Sequence, residues 1–166
     1  AKELAVNTID SRRRMAKKAP LWAEVSGIVF PTSIAAEQCS SAATAAVKAE
    51  LAAAIVSEYG VQTADGTIAD LTGGIGVDCH AFSKVAGKVL YNEMNPSLVA
   101  AARHNCPLLG MDGVTYSSVK VEPGSIKGIL RDTRPSLIFL DPARRDSAGK
   151  KVFLLEDCRP DVLTLV

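Results

Sequence analysis

An α/β domain built on a doubly wound parallel sheet is the fold class this sequence predicts, and three observations predict it. After Gly60, short apolar runs alternate with helical patterns, which is the signature of repeated βαβ units. One of those runs, Leu137-Ile138-Phe139-Leu140, is apolar at every position, as a parallel strand covered on both faces requires. Between the first strand and the first helix of this part lies Asp70-Leu71-Thr72-Gly73-Gly74-Ile75-Gly76-Val77-Asp78, a glycine-rich turn at the place where such sheets receive ligands.

Residues 1–59 read as a helical N-terminal region and residues 60–166 as the sheet-bearing domain. The basic cluster Arg12-Arg13-Arg14 with Lys17 and Lys18 is either a solvated helix face or a contact for phosphates. From Thr32 or Ser33 to about Tyr59 an alanine-rich segment forms one long helix, or two joined near Cys39-Ser40-Ser41, with Ser33 as N-cap and Gly60 as the C-terminal stop. Beyond it, Thr67 to Asp70 reads as a strand, Val77 to Val85 as a helix, Lys88 to Asn92 as a strand and Pro96 to Leu109 as a helix. Val114 to Val121 follows as the third strand, Ser125 to Arg131 as a short helix and Ser136 to Leu140 as the fourth strand.

Composition narrows the function classes. Nearly half of the 166 residues are apolar, and 19 Lys and Arg face 18 Asp and Glu, so no global field singles out a nucleic acid or a membrane. The four cysteines, Cys39, Cys79, Cys106 and Cys158, are far apart with no CxxC pair, which predicts free thiols, no metal site and a reducing cytoplasmic setting. No apolar run approaches the roughly 18 residues of a membrane span.

The acids around the glycine turn select its ligand. A dinucleotide fingerprint would place a third glycine where Cys79 stands, and carboxylates flanking the loop repel a diphosphate; both disfavour a nicotinamide-dependent oxidoreductase. The same carboxylates suit a ligand with cationic groups and a ribose. S-adenosylmethionine carries an ammonium, a sulfonium and two ribose hydroxyls that a carboxylate can accept. Glu93, at the end of the second strand, is the ribose candidate.

Three motifs, Asp70 to Asp78, Asn92-Glu93-Met94-Asn95-Pro96 and Asp141-Pro142-Ala143-Arg144-Arg145, resemble motif I, the acidic motif after strand two, and motif IV of the class I S-adenosylmethionine-dependent methyltransferases. Their order covers about residues 60 to 146. Upstream, Trp22, Pro31 and Glu37-Gln38-Cys39-Ser40-Ser41 resemble the N-terminal region of a Bacteroidetes-type methyltransferase family that carries a THUMP-like domain after the catalytic one. The resemblance implies a Rossmann-like sheet with strands in the order 3-2-1-4.

It also implies roles. Asp70 would hold the amino group of the cofactor's methionine part, and Gly73, Gly74 and Gly76 would let backbone pass beneath it. Glu93 would take the ribose hydroxyls. Met94 would lie against adenine, unless it is a core methionine, and Asp78 is a further cofactor candidate that otherwise charges the start of its helix. Residues 38–41 would pack near the methionine end, or only start or bend a helix. After strand three, Ser117 to Glu122 gives no clean match for an adenine contact.

At motif IV, Asp141 and Pro142 would position the methyl acceptor. The aromatic that amino-methylating enzymes of nucleic acids carry there is missing, because Ala143 and Arg144 follow. Asp-Pro-Ala-Arg instead resembles motif IV of the RNA uracil-5-methyltransferases, although Cys158, in a helical-looking context, is a poor substitute for their nucleophile. RNA is therefore the expected partner by analogy, with Arg144 and Arg145 as tentative phosphate contacts, unless that pair is only a surface turn. The other reading is a non-catalytic scaffold or RNA-binding module.

The chain starts at Ala1 and stops inside the apolar stretch Val162 to Val166, with only the first four of the family's strands. These features predict a fragment with weak or absent catalysis. Its fourth strand should be covered by the C-terminal segment or by a second molecule, since a bare edge promotes self-association.

Overall fold

The computed structural model of the chain describes residues 2–60, 66–143 and 152–165. Four helices come first: α1 Lys2–Lys18, α2 Pro20–Glu24, α3 Ser33–Gln38 and α4 Ala42–Glu58. They are followed by β1 Thr67–Asp70, α5 Val77–Phe82, β2 Lys88–Asn92, α6 Pro96–Leu108, β3 Val114–Ser117, α7 Ile126–Leu130 and β4 Leu137–Phe139, then a single 3-10 turn at Val162–Thr164.

The alanine-rich segment is two helices, because Cys39 and Ser41 adopt extended backbone between them. Thr32, not Ser33, is the N-cap of α3, its hydroxyl accepting from the Ala35 N–H, and Ser41 caps α4 through the Thr44 N–H. Gly60 ends α4 with φ +73°, a conformation open to glycine without strain. Ala45, Ala49, Ala52 and Val56 form the buried stripe of α4. These small side chains let α4 lie close against α5.

Part of the basic cluster is structural. The Arg12 guanidinium donates to the carbonyls of Ala23 (2.6 Å), Val25 (3.2 Å) and Ile28 (3.1 Å). Lys18 donates to Glu37 O and Cys39 O at the end of α3, and Arg14 pairs with Glu37. Helix ends leave carbonyls without partners, and these cations satisfy them. The phosphate role considered for Arg12 is thereby corrected, since its donors are engaged within the fold.

A buried side chain helps to tie the helical region to the sheet domain. Asn105 of α6, 1% exposed, accepts from the Val29 N–H (3.0 Å) and donates to the Val29 carbonyl (2.8 Å). An amide has the donor and acceptor to close this pair in strand fashion. Met15, Trp22, Ile28 and Phe30 continue the same core as Val77, Cys79, Phe82 and Val89. Substituting Asn105 by alanine strands both Val29 groups, and a loss of about 2 kcal/mol is expected, measurable as a lower urea midpoint with faster exchange of the Val29 amide.

All strand pairs are parallel and the order is β3-β2-β1-β4, as expected of a Rossmann-like sheet. β1 and β2 occupy the expected residues. β3 stops at Ser117 instead of Val121, because the next backbone partner is a side chain: Val119 gives its N–H to Asn92 Oδ1 and its carbonyl accepts from Asn92 Nδ2. α5 ends at Phe82 instead of Val85, with Lys84 and Val85 turning back onto Ala81 and Phe82 in tighter three-residue bonds.

β4 pairs with β1 on one side and, among the described residues, with no strand on the other. Ile138 is 46% exposed, so among the described residues the C-terminal segment does not cover this strand. The C-terminal segment pairs one step further on, where Ala143 and Arg159 exchange both backbone hydrogen bonds (2.8 and 3.1 Å). Cys158, expected in a helical context, sits in a turn in which its N–H reaches Leu155 O, and it is buried.

Candidate functional site: a braced glycine turn

The turn after β1 is held from below and from the side. Gly74 and Gly76 have φ +55° and +99°, where side chains are strained. The buried Tyr91 phenol donates to the Gly74 carbonyl (2.5 Å), while the Gly74 N–H donates to Glu93 Oε2 (3.0 Å). Burial pushes the Tyr91 hydroxyl far above its ordinary range, so it stays a donor. Gly73 has a packing role that the motif does not reveal: a Cβ there would stand 2.2 Å from the Tyr91 ring.

Two acids near the turn carry unsatisfied oxygens. Asp70 is 1% exposed; its Oδ1 accepts from the Thr72 N–H (3.0 Å) and its Oδ2 has no hydrogen-bond partner. Burial pushes its carboxyl up from 3.8 to about 7, with the Asp78 and Glu93 charges adding to the rise and the Thr72 N–H and Lys48 opposing it. Asp78 Oδ1 is likewise buried without a partner. A buried carboxylate oxygen left in this state fits a cation better than a neutral group.

Glu93 is differently disposed. Besides Gly74 it accepts from the Asn95 N–H at Oε1 (2.9 Å), so each oxygen has one backbone partner and keeps accepting capacity on the cleft side. Two remaining acceptor sites on one carboxylate match a pair of neighbouring hydroxyls.

Lys48 joins the site from α4. Its ammonium donates to Ser40 Oγ (2.8 Å), Asp78 Oδ2 (3.1 Å) and Asp141 Oδ2 (2.9 Å), and lies 5.0 Å from the centre of the Phe139 ring. Burial disfavours its charge, but the hydrogen bonds and charges of Asp141 and Asp78 outweigh this and hold its pKa above the ordinary value. Ser40 also donates to Asp78 Oδ2 (2.9 Å). The Asp141 N–H donates to Thr72 Oγ1 (2.8 Å), which fixes the segment after β4 beside the glycine turn.

These elements border an open cleft of about 1590 Å³, larger than the roughly 300–1,000 Å³ of an ordinary small-molecule pocket. Gly73, Gly74, Gly76, Asp78, Glu93, Met94, Asp141 and Pro142 all line it, while Asp70 lies buried beneath the turn. Met94 is 61% exposed, which overturns the alternative of a core methionine. Arg144 and Arg145 lie outside the described residues. Among the described residues no cluster of His, Cys, Asp or Glu is placed to hold a metal, and no helix is long and apolar enough to cross a membrane.

Sequence reasoning missed Lys48, and it left the far wall, Val119 to Pro123, without assignment. Lys48 is the single cation between Thr44 and Leu51. It stands three residues after Ala45 and four before Ala52, at the margin of the buried stripe, which is the helical-spacing signal that could have found it.

No protein-family model matches the chain. Over 115 residues it is 29% identical to an uncharacterized S-adenosylmethionine-dependent methyltransferase of Mycobacterium tuberculosis, found in two strains, covering 69% of this chain and 30% of that protein. Among solved structures it is similar to a "putative methyltransferase" from Porphyromonas gingivalis W83, with a TM-score of 0.74 and 30% identity over 96% of this chain and 36% of the other. The chain thus spans about a third of the length of these relatives. Sheet order, glycine turn and these likenesses agree on a Rossmann-like methyltransferase fold for this chain.

Proposed function

We propose that this chain is the cofactor-binding part of an S-adenosylmethionine-dependent methyltransferase whose acceptor is a base in RNA. The observation that carries the cofactor reading is the buried, unpartnered oxygen of Asp70 below an open glycine turn. A cationic amino group is the complement such an oxygen lacks. When bound, the cofactor supplies a methyl group activated by the positive charge on sulfur. Asp70 would hold its ammonium directly or through water, Glu93 would accept from the ribose hydroxyls, and Met94 would offer an apolar, polarizable face to adenine. Asp141 and Pro142 would align the acceptor, the contribution from which in-line displacement gains most.

The RNA assignment rests on the likeness of Asp141 to Arg144 to the motif of RNA uracil methyltransferases. The placement of Asp141 in the same cleft as Glu93 is consistent with it.

Calorimetric titration tests the cofactor reading. S-adenosylmethionine and S-adenosylhomocysteine are expected to bind and NAD is not; Asp70→Ala should weaken the adenosyl ligands by about tenfold or more, the scale of one charge-assisted hydrogen bond. Binding of NAD in preference to either adenosyl ligand would refute the assignment. Transfer of labelled methyl to RNA by the complete protein tests the acceptor. Cofactor binding without transfer to any nucleic acid would favour the scaffold reading instead.

A further inference from the structure

Four carboxylates surround the glycine turn: Asp70, Asp78, Glu93 and Asp141. A cleft so charged would drive its own acids apart and would hold a cation far more firmly than a neutral ligand of the same shape. Among the described residues, Lys48 is the cation paired with two of these acids. Lys48 bonds to Asp78 on the glycine-turn side and to Asp141 on the acceptor side, at 3.1 and 2.9 Å, with Ser40 completing the cage. Two further cations among the described residues line the cleft: Lys120, which is paired with the exposed Glu122, and Arg159, whose backbone pairs with Ala143. The side chains of Lys48 and Asp78 are 23% and 14% exposed, which leaves their charges only partly screened.

Resting on the function proposed above, we infer that Lys48 sets the charge preference of the cofactor cleft, limiting how strongly the cationic sulfonium form is held over the neutral thioether that remains after methyl transfer. S-adenosylmethionine and S-adenosylhomocysteine share the ammonium, carboxylate, ribose and adenine and differ by the methyl group and the charge on sulfur. Charge at Lys48 therefore acts on the difference between them. A purely structural lysine, whose loss loosened the cleft, would weaken both ligands alike.

The test is the ratio of the two dissociation constants, measured by calorimetry at fixed pH and ionic strength for the wild-type chain, Lys48→Met and Lys48→Arg. In Lys48→Met the preference for S-adenosylmethionine over S-adenosylhomocysteine should rise by about fivefold, the scale of one charge acting across several ångströms of partly wet protein. Lys48→Arg should keep the wild-type ratio even if both affinities fall. A ratio unchanged within twofold in Lys48→Met, or shifted equally in Lys48→Arg, overturns the inference while leaving the cofactor assignment intact. Absence of binding of either ligand to the wild-type chain overturns the cofactor assignment, and this inference with it.

Discussion

Gly73→Ala is expected to destabilise the chain by about 3 kcal/mol, the upper range for forcing volume into a packed core. The added methyl would meet Tyr91 Cε2, Cδ2 and Cζ at 2.2, 2.5 and 2.8 Å. Tyr91 has nowhere to retreat: it is wholly buried, its ring packs at a tilt against Tyr116 and its hydroxyl is bonded to the Gly74 carbonyl. Moving the ring would break that hydrogen bond and release the turn. Urea denaturation measures the effect, and the same substitution in a Tyr91→Leu background should cost markedly less, because the obstruction is gone. A loss below about 1 kcal/mol in the wild-type background would show that the turn and ring can part without difficulty.

The second large effect is on pH. An ordinary aspartate titrates near 3.8, whereas burial pushes folded Asp70 up to about 7. Between these values the folded chain holds a proton that the unfolded chain has released. This contribution is therefore greatest below the lower value, declines as pH rises through the window and is fully lost above about 7, a change on the order of 4 kcal/mol at 1.36 kcal/mol per unit. Other acids titrate too, so the diagnostic quantity is the difference between wild type and Asp70→Asn. Urea midpoints at pH 5 and pH 8 should show the variant gaining on wild type at the higher pH. A difference that does not change with pH would contradict the burial argument. The same ionisation bears on function, because a cationic ligand needs the charged form and its affinity should strengthen as pH rises through about 7.

The features legible in the sequence are those set by local pattern. β1 and β2 are readable to the residue because each is a short apolar run, Ile68-Ala69 and Val89-Leu90-Tyr91, flanked by polar residues at both ends. The cleft-lining glycines and acids follow each other at strand ends, where spacing alone brings them together. What stayed hidden depends on contacts between distant parts. Val119 looks like strand but is taken by the side chain of Asn92; Arg12 looks like a phosphate contact but is taken by carbonyls of the following helix and loop. Lys48 is 93 residues from Asp141, and no periodicity connects them. Nor does the motif disclose that Gly73 answers to a tyrosine 18 residues later, since a glycine required by a ring and one required by a ligand read alike.

The bracing of Gly74 has a thermodynamic consequence. With its carbonyl fixed by Tyr91 and its N–H by Glu93, the turn is given its shape when the chain folds. A ligand arriving there finds a mould already set, and the loss of backbone freedom that a slack loop would add to each binding event is removed from the affinity. The rate of capture is then governed by diffusion and desolvation and not by waiting for a rare loop conformer, which makes this half of the cleft a rigid receptor.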